Sequence, residues 1–166
     1  MSFIEKLSEN ENLASLLKLQ KANQQDGTIA EQVLKFFAYK NNSENFKGAV
    51  ADFLNKYTEG VENHASGFEF TYSAEEAIFT ETMEFIANIV DGPFLRPSTH
   101  ITPLVQFEAV SVAVGTLIQE GVTPSMPPEN WMDDPVLVSA SSAGANTRSK
   151  LARRIERARE LFSGCA

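Results

Sequence analysis

Apolar residues recur at helical spacing through most of the chain and almost nowhere alternate. Phe3, Ile4 and Leu7 follow Ser2, a plausible cap. Leu13, Leu16, Leu17 and Leu19 form a second short patch after Asn10-Glu11-Asn12, so two short helices or one broken helix fit. Polar residues then lead to Asp26-Gly27, a turn signal. Thr28 and Glu31 have the spacing of a capping box, in which a hydroxyl and a carboxylate satisfy each other's orphan amides. Ile29, Val33, Phe36 and Phe37 supply the buried stripe of the helix it predicts, ended by Asn41-Asn42-Ser43. Phe46, Val50, Phe53, Leu54 and Tyr57 share one face of the next helix, which the pattern stops near Gly60.

Residues 61–71 read as irregular. The short alternation from Gly67 to Tyr72 fits either a short edge strand or merely extended chain. Ser73 with Glu76 makes a second capping box, and Ile78, Phe79, Met83, Ile86 and Val90 carry a helix to the Asp91-Gly92-Pro93 stop. Thr102-Pro103 reads as a cap followed by proline at the first helical position. The helix it starts keeps small residues (Ala109, Ser111, Ala113, Gly115) between large ones and ends at Gly121, which predicts close packing at the centre of a bundle. Residues 122–145, with four prolines and the Ser139–Gly144 run, predict a long loop with a short helical turn around Trp131. Asn146 or Thr147 then caps a helix whose Leu151, Ile155, Ala158 and Phe162 fall within about one sixth of the circumference at 100° per residue. The pattern predicts one all-α domain over residues 1–166. It comprises about six helices, with the helix from Thr102 to Glu120 near the centre, the loop 122–145, and a basic C-terminal helix over 146–163.

Charge changes this picture more than composition does. Of 14 basic groups, six (Arg148, Lys150, Arg153, Arg154, Arg157 and Arg159) lie in 148–160 with only Glu156 and Glu160, so that stretch carries +4 of a net −8 and the rest of the chain −12. An acidic body with a basic tail helix implies an anionic partner for the tail, or docking of the tail on the body. The single cysteine, Cys165, excludes an intramolecular disulfide and fits a reducing compartment. No stretch approaches the roughly 20 apolar residues of a membrane span, and Met1–Glu5 lacks the basic start of a signal peptide. The expectation is a cytoplasmic protein with no membrane partner.

Candidate chemistry is sparse. His64 and His100 both fall in predicted loops and, with one cysteine, make a poor zinc set. There is no nucleophile elbow, His-Glu-x-x-His or Gly-rich phosphate loop, and Thr147-Arg-Ser-Lys150 only loosely imitates a Ser-x-x-Lys pattern. Glu75-Glu76 sit in a predicted first turn, where the helix dipole favours negative charge. Glu81 with Glu84 and Asp133-Asp134 read as solvated faces. No catalytic residue, metal or cofactor is expected. One constellation stands out: Ser142 and the Gly144 turn run into the N-terminus of the last helix, where free amides and the cations Arg148, Lys150, Arg153, Arg154 and Arg157 would meet DNA or another phosphate.

Several segments, in order, resemble the C-terminal helical half of the GmrSD-type restriction-endonuclease family, also known as domain of unknown function two-six-two. They are Glu31-Gln-Val-Leu-Lys-Phe-Phe-Ala38, Phe46-Lys-Gly48 with Asp52-Phe-Leu-Asn-Lys-Tyr57, Arg96 before Ile101, Phe107-Glu-Ala-Val-Ser111, and Asn146-Thr-Arg148 with Arg153, Arg154 and Ile155. In that family a ParB/sulfiredoxin-like domain with an Asp-Gly-Gln-Gln-Arg motif precedes the helical part. Gln24-Gln25-Asp26-Gly27 has similar letters in another order and inherits no role, and the family's His-containing nuclease signature is absent here. The resemblance implies a non-catalytic helical module of a restriction or phage-defence protein, supporting an NTPase or nuclease domain and contacting DNA. The alternative is a protein-interaction or regulatory domain with no nucleic-acid role.

Overall fold

In the computed structural model, which describes residues 1–24 and 26–164, side-chain caps start some of the helices, and others begin without one. Gln25 and Cys165 lie outside the described residues. Ser2 and Glu5 form the capping box of α1 (Phe3–Ser8), and Asn10 accepts from the Leu13 amide to start α2 (Glu11–Leu16), so the N-terminal patches are two separate helices. The box expected at Thr28 does not form. Asp26, a charged acceptor two residues back, takes both the Thr28 amide (3.0 Å) and its hydroxyl, and Glu31 turns to Lys35 at 3.0 Å. The helix that follows is α3 (Thr28–Asn42).

Gly60 does not stop α4, which spans Val50–Glu62. The chain folds back over it instead: a Cβ at Gly60 would lie 2.4 Å from the Phe68 ring, so the glycine is there for a close approach inside the helix. α5 (Tyr72–Ile89) starts one residue before Ser73, and Thr71, the residue ahead of it, makes no side-chain capping bond. The Ser73–Glu76 box is therefore absent, and Glu76 pairs with Lys6 at 2.6 Å. Tyr72 is drawn into the helix, and no strand occurs among the described residues.

At the centre runs α6 (Leu104–Gln119). Every residue from Gln106 to Gly115 is buried, and it packs on α3, on α5 and on the last helix, α8 (Arg148–Phe162). Its small residues have the expected use: a Cβ at Gly115 would stand 2.7 Å from the Phe36 ring. Thr102, however, does not cap it. Its hydroxyl accepts from the Lys18 amide (2.8 Å) and donates to the Leu16 carbonyl (3.1 Å), tying the entry of α6 to the end of α2. Phe36, Phe37 and Phe79 pack together in the core, with ring centroids 5.1 to 5.8 Å apart.

The segment 122–145 is more than a loop. It holds a 3-10 turn at Trp131–Asp133 and a further helix, α7 (Pro135–Ala140). Asp134 accepts from the Val136 and Leu137 amides ahead of Pro135, a cap-and-proline start of the kind expected at Thr102. Trp131 packs edge-on against Phe94 and Phe162, and the Ser125 amide donates to the Phe162 carbonyl at 2.7 Å. The all-α expectation holds, with eight α-helices among the described residues rather than about six. None of them is long and apolar enough to cross a membrane.

Candidate functional site

Thr147 caps α8 by accepting from the Lys150 amide at 3.2 Å. From there the cations singled out by the sequence divide into three groups. Arg148 and Arg153 are exposed, with no hydrogen bond or ion pair among the described residues, and Lys150 reaches only the Ala143 carbonyl at 2.9 Å. Ser142 is exposed, but its hydroxyl is engaged by the Val138 carbonyl at 2.6 Å.

Arg157 belongs to the body. It meets Asp134 in a fork, Nη2 to Oδ2 at 2.8 Å and Nε to Oδ1 at 3.1 Å, while Nη1 donates to Glu160 at 2.8 Å. Two planar donors on one carboxylate form a strong, oriented pair. Hydrogen bonding to Asp134 and Glu160 raises the Arg157 pKa, and the Arg157 hydrogen bonds hold the Asp134 carboxyl below its ordinary value. Arg159, two residues on, pairs with Glu120.

Arg154 is fully buried and therefore leaves the set of surface phosphate contacts. Nη1 donates to the Ala145 carbonyl at 2.7 Å, and at 3.4 Å to Ala140, closing the turn between α7 and α8. Its Nε and Nη2 have no partner. Burial lowers its pKa and the nearby Glu108 carboxylate opposes that shift. The helical wheel carried the signal: Arg154 sits about 40° from Ala158 at 100° per residue, at the edge of the apolar stripe rather than opposite it.

The polar cluster inside the bundle escaped sequence reasoning. Glu108, on α6, accepts from Gln32 and Lys35 of α3, each at 3.0 Å. Burial works against the Lys35 charge, but Glu108 and Glu31 together raise its pKa. Burial, reinforced by Glu108, pushes Tyr39 up to about 12. A lone acid between Phe107 and Ala109 in an apolar run was the available clue. A second cluster, Lys40 with Glu75 at 2.9 Å, also ties α3 to α5. Burial lowers the Lys40 pKa, and Glu75 opposes it.

The other carboxylates nominated by the sequence do not assemble into a site. Glu75 and Glu76 go to different lysines, Asp133 pairs with Arg96 and Asp134 with Arg157, and Glu81 and Glu84 are exposed. No group of three His, Cys, Asp or Glu residues able to hold a metal occurs among the described residues. Fold and site define an all-α domain whose basic helix is divided between internal ion pairs and a short open face. Compared with family models, curated proteins and solved structures, the chain matches none of them.

Proposed function

We propose that the chain is a non-catalytic helical module of a restriction-type defence protein, which supports an NTPase or nuclease domain mainly through protein contacts. The resemblance to the GmrSD-type helical region supports this reading. Its segments fall on α3, α4, the entry to α6, α6 itself and α8, the elements that build the core. The observation that carries the emphasis on protein contact is the internal use of Arg154, Arg157 and Arg159, which removes half of the six tail cations from any outside anion. DNA contact in this reading falls to Arg148, Lys150 and Arg153.

The supporting role is tested by light scattering of the chain mixed with a separately produced ParB/sulfiredoxin-like domain bearing the Asp-Gly-Gln-Gln-Arg motif. A complex at micromolar concentration is expected, and two separate species would overturn the role. DNA contact is tested by titrating a fluorescent duplex at low and moderate salt. Binding should weaken steeply with salt, and the salt slope should fall by roughly one for each of Arg148, Lys150 and Arg153 replaced by Ala, with Arg157→Ala and Arg159→Ala changing it little. Absence of duplex binding even at low salt favours the second reading, an interaction module whose basic helix serves only to pack on the acidic body. The Arg157–Asp134 fork is the observation behind that alternative.

A further inference from the structure

Five aromatic rings, Phe3 of α1, Phe37 of α3, Tyr57 of α4, and Phe70 and Tyr72 at the entry to α5, line a pocket of about 260 Å³, at the small end of sites that take a small molecule. Phe3, Phe70 and Tyr72 meet pairwise edge-on at 4.9 to 5.5 Å, and Phe70 meets Phe37 in the same way at 5.3 Å. Rings from three segments thus hold one another in place, and the wall stands formed without a ligand. The polar groups of the lining are few and mostly engaged. The Ser2 hydroxyl accepts from the Glu5 amide, the Thr58 hydroxyl donates to the Leu54 carbonyl, and the Tyr57 hydroxyl accepts from Asn41.

Glu62 is the exception. It stands exposed at the rim, and its carboxylate has no hydrogen bond or ion pair among the described residues. It is also the last residue of α4, where the helix dipole adds partial negative charge, and no basic residue lies in that last turn or in the lining. Aromatic walls attract a cation as well as an apolar group, and an unpaired carboxylate on an acidic chain sets the sign of the charge that fits. We infer that this pocket binds a small organic cation, an aromatic or alkyl group carrying an ammonium, with the apolar part against Phe3, Phe37 and Phe70 and the ammonium at Glu62. The lining comes from α1, α3, α4 and the entry to α5, with nothing from α8. Duplex binding through Arg148 and Arg153 can therefore fail while this site holds, and the reverse.

Chemical-shift titration of the whole isotope-labelled chain provides the test, with three probes of one shape and different charge: phenethylammonium, phenethyl alcohol and phenylpropionate. Saturable shifts centred on Phe3, Tyr57 and Phe70 are expected, with the ammonium bound about fivefold more tightly than the alcohol and the carboxylate most weakly. Glu62→Gln should abolish the preference for the cation, and Glu62→Lys should reverse the order. Because Glu62 is exposed and unpaired, both variants should keep the thermal midpoint of the wild type, so a changed preference cannot be put down to misfolding. The inference is overturned by an absence of saturable shifts with the ammonium, by shifts centred elsewhere, or by a cation preference that survives in Glu62→Gln. Shifts of the same residues that grow with protein concentration and no probe would make a second copy of the chain the occupant, and would overturn it too.

Discussion

The two halves of α8 are built from the same residue types and do opposite work. Toward its C-terminus, Arg157 and Arg159 are drawn onto Asp134, Glu160 and Glu120 and fasten the helix to α7 and to the end of α6. Toward its N-terminus, Arg148 and Arg153 meet no carboxylate and face solvent. Between them Arg154 is buried whole and spends its charge on backbone carbonyls. An arginine's role in this helix is therefore set by what the rest of the fold brings opposite it. A count of basic residues along the helix overstates the anion-binding face.

Arg154→Ala should have the largest effect, because it opens a cavity and strands the Ala145 carbonyl. A loss of about 3 kcal/mol in urea unfolding is expected, with Arg154→Met costing much less since it keeps most of the buried volume. Equal costs for the two variants would mean that the carbonyl contact, and not volume, is what Arg154 supplies.

Asp134→Ala removes both the cap of α7 and the partner of Arg157. It should cost about 2 kcal/mol at neutral pH, roughly half from each after allowing for partial exposure of the pair. The folded pKa of Asp134 lies below its unfolded value near 3.9. The difference between wild type and variant should accordingly be full above about pH 5 and fade as pH falls through the lowered folded value. A difference that stayed constant to the lowest pH would show that the fork does not hold the carboxylate.

Arg159→Ala, which breaks a half-exposed pair with Glu120, should change stability by about 0.5 kcal/mol, and the change should shrink with added salt. Least of all, Arg148→Ala/Arg153→Ala should leave stability within about 0.5 kcal/mol of wild type in the same unfolding experiment. A larger loss would mean that the open face is packed against something, and the contrast between the two halves of the helix would disappear.

Much of the fold was legible because helical periodicity is a local property. The apolar stripes of α3, α4, α5, α6 and α8 appear at their sequence spacing, and Ser2, Asn10 and Thr147 cap where a short polar side chain next to its own helix has little else to do. Predicted caps failed where a competing partner lay within reach: Asp26 for Thr28, and the α2 end for Thr102. The Asp134-Pro135 start was readable by the same rule that had been applied to Thr102-Pro103, but the surrounding prolines and serines suggested a loop. The open part of the candidate site, Arg148 and Arg153, follows from charge and helical phase.

By itself, the sequence determined an all-α chain with a small-residue central helix and a basic last helix, since amphipathic period and charge are written into neighbouring residues. Only the tertiary structure decided which of those charges remain available. The Arg154 contact with the Ala145 carbonyl and the Arg157–Asp134 fork depend on residues 9 and 23 positions apart meeting in space, and local spacing does not say which partner each side chain meets.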